Sequence, residues 1–123
     1  MPEKGGVKIK RIYEPYEESD GYRILVDRLW PRGMSKEAAH FDCWPKDLAP
    51  SASLRRWFGH QPRKFAEFGR LYLEELAGTS AIEDVLRHLV THPVVTLLYA
   101  ASDTTCNHAV VLRDFLICRR SQS

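Results

Sequence analysis

The sequence predicts an α/β fold: one small domain of 123 residues, with a three- to four-stranded, mostly parallel sheet packed with helices. Three observations predict it. Val94–Ala100 reads Val-Val-Thr-Leu-Leu-Tyr-Ala without a charge, the pattern of a central strand buried on both faces. Tyr22–Asp27 holds the continuous apolar run Ile24, Leu25, Val26. A long stretch with helical apolar spacing separates the two, ample for a crossover that leaves them parallel.

The elements follow in order. Residues 1–6 read as a loose arm. Val7–Tyr13 alternates Val7, Ile9 and Ile12 with Lys8, Lys10 and Arg11, a half-exposed strand. Glu14–Gly21 is acidic and ends in an Asp-Gly turn signal. That link is too short for a crossover helix, which leaves two arrangements open. The first strand pairs antiparallel with the second, or it reaches the far side of the sheet. Pro31 and Gly33 stop the second strand, and Ser35 can cap a short helix. Pro50 with Ser51 or Ser53 opens a helix carrying Leu54, Trp57 and Phe58, closed by Gly59. Pro62 suits a first helical position, and Phe65, Phe68, Tyr72 and Leu76 recur at helical spacing until Gly78. Ser80 and Glu83 match a capping box before the apolar face of Ile82, Val85, Leu86, Leu89 and Val90. After the strand at 94–100 comes a polar turn, then a helix over Asn107–Cys118. Residues 119–123 read as a frayed tail.

Composition excludes several classes. Hydrophobic content is 44% and charged content 28%, as in globular domains and unlike disordered chains. No apolar run reaches the ~20 residues of a membrane span, and residues 1–6 lack a signal-peptide core. The three cysteines, Cys43, Cys106 and Cys118, form no Cys-x-x-Cys pair, so reduced thiols in the cytoplasm are expected. Cys106 and His108 match no common zinc spacing; neither a metal nor a cofactor is expected. The net charge of +2 does not argue for nucleic acid on its own. Residues 23–64, however, carry a surplus of five positive charges, a local field suited to an anion.

Ligands of open α/β sheets bind beyond the carboxyl ends of the strands. Two polar loops fall there, Asp27–Gly33 and Ser102–His108. Arg28 and Arg32 offer forked donors for phosphate or carboxylate. Trp30 offers a stacking face. Lys46, Ser51 and Arg55 can extend such a site. Asn107 and His108 sit near a helix N-terminus, which favours anions. Asp103 can orient His108 for proton transfer. Cys106 has the place of a loop nucleophile, but no Gly-rich cradle follows it.

The run Gly21-Tyr22-Arg23-Ile24-Leu25-Val26-Asp27-Arg28-Leu29-Trp30-Pro31-Arg32-Gly33, together with Trp44, Ala49-Pro50-Ser51, Trp57-Phe58, Asp103 and Asn107-His108-Ala109, resembles the YeaO-like family of bacterial proteins. The likeness covers Ile9 to Leu116. It implies a domain of unknown function, with no established activity to carry over. Other branches of the wider group carry a Cys-His-Arg triplet in the last loop. Asn107, His108 and Ala109 align with it, so here only the histidine is kept. The resemblance joins Arg28, Trp30, Arg32, Lys36, Asp103, Asn107 and His108 into one candidate set. Three readings follow: a small enzyme or binder for an anionic small molecule, with His108 and Asp103 catalytic; a nucleic-acid or metabolite binding module using the basic stretch; and a structural protein whose motifs only hold the fold. No residue pattern sets an oligomeric state.

Overall fold

The computed structural model describes residues 6–121. Three strands, β1 (Gly6–Arg11), β2 (Tyr22–Leu25) and β3 (Val94–Tyr99), form one sheet in the order β1-β3-β2, and both pairings are parallel. The helices are α1 (Lys36–Ala39), α2 (Ala52–Phe58), α3 (Phe65–Ala77), α4 (Ala81–Thr91) and α5 (His108–Ser121). Single 3-10 turns lie at Glu18–Asp20, Lys46–Leu48 and Pro62–Lys64.

The uncharged run is the central strand, as expected from its two-sided burial. Strand parity divides its side chains. Val95, Leu97 and Tyr99 face the main core with Val7, Ile24 and Val26, under α2 to α5. Leu98 faces the other side with Leu25, Ile12 and Ala39, where Trp30, Met34, Phe41 and Trp44 complete a smaller cluster. At ~25 cal/mol per Å² of apolar surface, burial of these two clusters is the main stabilising term.

The first strand reaches the far side of the sheet. Its ten-residue link, 12–21, crosses β3 on the face of Thr96 and Leu98 without an α-helix, with only the 3-10 turn at Glu18–Asp20. An extended chain of that length reaches roughly 33 Å, enough to return along a six-residue strand. The crossing is held by polar contacts. Thr96 Oγ1 donates to the Asp20 carbonyl at 2.7 Å, and Lys10 Nζ lies 3.0 Å from Asp20 Oδ2. Gly21 passes the β3 backbone with φ 68°, and a Cβ there would lie 2.9 Å from the Val94 carbonyl carbon. Arg23, read in the sequence as one charge of a basic stretch, is 1% exposed. Its guanidinium donates to Asp20, to the Ala39 carbonyl at 2.7 Å and to the His40 carbonyl at 2.8 Å. Lys10 is likewise a paired, nearly buried residue, not part of a solvated strand face.

Other details depart from expectation. Ser80 is helical and caps nothing with its side chain, so the Ser80–Glu83 capping box does not form. Val90, expected on the apolar face of α4, is 85% exposed and falls outside the stripe of Ile82, Val85 and Leu89. At the end of the same helix, His88 and His92 stack on Tyr22, with centroids 4.6 and 4.2 Å away. The expected arm over 1–6 is β1 already at Gly6, and residues 1–5 lie outside the described residues. The expected tail over 119–123 is helix as far as Ser121; residues 122 and 123 lie outside the described residues.

Candidate functional site

A cleft of about 400 Å³ opens beyond the carboxyl ends of β2 and β3. Its walls come from Asp27–Leu29 after β2, Ala100–Ala101 after β3, Cys106–His108 at the start of α5, and Ala49–His60 around α2. Each wall is set by local chemistry. Ser51 caps α2 by accepting from the Leu54 N–H at 3.2 Å. Its own N–H and hydroxyl donate to Glu75 of α3 at 2.8 and 2.6 Å, which pins the start of α2 to the neighbouring helix. Gly59 and His60 both take left-handed conformations, φ 54° and 58°, and so return His60 to the cleft. Asn107 is the cap of α5: its Oδ1 accepts from the Val110 N–H at 3.0 Å and its Nδ2 donates to the Asp103 carbonyl at 2.8 Å.

His108 and Asp27 form the polar floor. His108 Nε2 lies 3.0 Å from Asp27 Oδ1 and 3.1 Å from the Val26 carbonyl. Two acceptors at one nitrogen assign the ring proton to Nε2. The N–H aligns with the carbonyl, so the buried Oδ1 is in ion-pair range but has no hydrogen bond among the described residues. The other carboxylate oxygen accepts from the Ala100 N–H at 3.0 Å and ties the two strand ends together. Tyr72 meets the imidazole edge-on at 6.3 Å and donates its hydroxyl to the Leu48 carbonyl. Burial pushes the Tyr72 phenol far above its usual range, so it serves as a fixed neutral donor.

Positive charge lines the rim. Arg28 donates to the Pro50 and Ala49 carbonyls at 3.3 and 3.2 Å. Arg55 and Arg56 are exposed on α2. Among the described residues none of the three arginines makes an ion pair. Apolar surface fills the rest, chiefly Leu29, Pro50, Phe58 and Phe68.

The structure therefore brings together part of the set expected from sequence. Arg28, Asn107 and His108 meet at the cleft. Trp30 does not. Its ring packs edge-on against Phe41 and Trp44, and its Nε1–H donates to the Met34 carbonyl at 2.6 Å. Arg32 and Lys36 are exposed and lie away from the cleft. Asp103 does not orient His108. Its Oδ1 accepts from the Cys106 N–H, the Thr105 N–H and the Thr105 hydroxyl at 2.9, 2.9 and 3.0 Å, which holds the carboxyl below its usual range. Asp27 has the place beside His108 that was expected of Asp103. Sequence reading gave no place to His60 and only an auxiliary one to Arg55. One signal was present: no acid occurs from Leu48 to Ala66. Cys106 lines the cleft, half-buried. Among the described residues no group of three or more His, Cys, Asp or Glu could hold a metal, and no helix is long and apolar enough to cross a membrane.

Comparison with known proteins places the chain in a family. Residues 6–123 match a family model described as "Inactive DUF488-N3 subclade". The uncharacterised protein YeaO of Escherichia coli is 46% identical over 110 residues, covering 89% of this chain and 96% of that protein. Uncharacterised proteins of Mycobacterium tuberculosis and Mycobacterium bovis are each 43% identical over 110 residues, covering 89% of this chain and 92% of theirs. No solved structure matches. With the family model spanning almost the whole chain and YeaO aligned through both cleft loops, the chain belongs to the YeaO-like DUF488-N3 family.

Proposed function

We propose that the protein binds an anionic small molecule, bearing phosphate or carboxylate, in the cleft beyond β2 and β3, and that binding rather than covalent catalysis is its task. The observation that carries this reading is the convergence of Arg28, Arg55 and Arg56 on one cleft without a carboxylate partner among the described residues. Arg28 spends two donors on backbone carbonyls, but none of the three charges is neutralised by a carboxylate among the described residues, and forked guanidinium donors suit phosphate and carboxylate oxygens. The cleft volume falls within the usual range for small-molecule sites, and its apolar walls fit a ligand with an uncharged body. By the family resemblance, Asn107-His108-Ala109 stand where other branches carry Cys-His-Arg, and "inactive" in the family description accords with a loop that lacks that thiol.

Calorimetry with pyrophosphate tests the proposal. The R55A/R56A double variant alters only exposed side chains, so its fold is expected to survive. Loss of one charged hydrogen bond weakens binding roughly tenfold or more. Pyrophosphate affinity unchanged in the double variant, or absent from the parent protein, refutes the assignment. A second reading, proton transfer by His108 beside Asp27, rests on their 3.0 Å approach. It requires turnover of a phosphate ester that His108→Gln abolishes; ester hydrolysis indifferent to that change removes it.

A further inference from the structure

The cleft arginines continue into a ridge that a small anion leaves unused. No acidic residue occurs from Leu48 to Ala66, whereas Arg55, Arg56, His60, Arg63 and Lys64 do. Trp57 stands on this ridge, 41% exposed, following Arg56 in the sequence and lying between the inward Leu54 and Phe58. Lys64 Nζ lies 4.9 Å from the centre of its ring and donates to its carbonyl at 2.9 Å. An exposed indole steadied by an ammonium group, on a chain segment that carries no acid of its own, combines stacking with phosphate attraction.

We propose that α2 and the turn after it bind single-stranded nucleic acid, with Trp57 stacking a base, Arg55, Arg56 and Lys64 holding backbone phosphates, and the cleft receiving one nucleotide. This deepens the anion-binding reading and rests on it. Charge complementarity selects a polyanion, and the exposed indole selects one with flat rings. A duplex hides its base faces, so the strand must be single. Seven residues of α2 span about 10 Å, which matches two or three nucleotides and no more. With about three phosphates neutralised, the logarithm of the affinity falls against the logarithm of salt with a slope near −2.

The experiment pairs two probes. Anisotropy of a labelled eight-nucleotide oligothymidylate measures strand binding across a salt series, and calorimetry measures pyrophosphate. Trp57→Ala is expected to weaken oligonucleotide binding about tenfold while leaving pyrophosphate binding unchanged. Trp57→Phe, which keeps a ring, is expected to recover most of the loss. Arg55→Ala weakens both probes. If pyrophosphate binds and the oligonucleotide does not, the strand proposal is overturned and the small-anion reading stands. If neither binds, both fall. Equal oligonucleotide affinity in Trp57→Ala also overturns the proposal. So does displacement of the oligonucleotide by polyglutamate at equal charge concentration, which would mark the ridge as a site for acidic peptides.

Discussion

Replacing Arg23 with alanine tests the claim that a buried ionic cluster locks β1, β2 and their link. The side chain is 1% exposed and donates to Asp20 and to the carbonyls of Ala39 and His40. Arg23→Ala strands both carbonyls, removes one partner of a buried carboxylate and opens a cavity. Lys10 still pairs with Asp20, which limits the damage. Breaking a buried ion pair from one side costs about 3–5 kcal/mol, and we take about 4. Total stability of a small domain is ~5–15 kcal/mol, so the variant stays folded but loses much of its margin. With a urea m-value of ~1.5 kcal/mol/M, the denaturation midpoint falls by about 2.7 M. Arg23→Lys keeps the charge but not the fork and is expected to fall between. A double-mutant cycle with Asp20→Asn isolates the pair itself. A loss below about 1 kcal/mol for Arg23→Ala means that the guanidinium is solvated, and the locking argument fails.

Three further predictions rest on single contacts. Gly21→Ala drives a Cβ into the Val94 backbone at a positive φ, and destabilisation of at least about 2 kcal/mol is expected by thermal melting; a neutral result means that the link does not cross β3 so closely. Tyr72→Phe leaves the buried Leu48 carbonyl without its donor and costs about 1–3 kcal/mol by urea titration. Burial raises the Asp20 carboxyl, but hydrogen bonds from Lys10, the Glu17 N–H and Arg23 outweigh it and hold the group below its usual value. A depressed carboxyl contributes stability above the unfolded-state value near 3.9 and loses it as the pH falls through the folded value. Acid titration of stability is therefore expected to steepen below pH ~4 in the parent protein and to flatten in Asp20→Asn.

Much of the fold is legible in the sequence because burial leaves a local signature. Val94–Tyr99 announces a two-faced strand by lacking charge, and α3 announces its inner face through Phe68, Tyr72 and Leu76. The cleft was legible in outline for the same reason, since Asp27 and Ala100 end the two most apolar strands. Its membership was less so. Arg28 and Arg32 look alike in sequence, yet only Arg28 reaches the cleft. Trp30 looks like a stacking face and is a packed indole, whereas Trp57 looks like a core residue at helical spacing and is exposed. Asp27 and Asp103 both flank strand ends, and Asp103 is consumed by the turns of its own loop.

By itself, the sequence determined the α/β class, the central strand, the helix order and the region where polar loops gather. Those depend on periodicity and on turn chemistry, which act over a few residues. Only the tertiary structure decided that β1 lies across β3 from β2, that Arg23 and Lys10 are partners of Asp20, and that Asp27 stands beside His108. Such choices depend on which distant groups meet. A charge that stays solvated and a charge that is buried against a partner read the same along the chain, and only the packing of the sheet and its crossing link tells them apart.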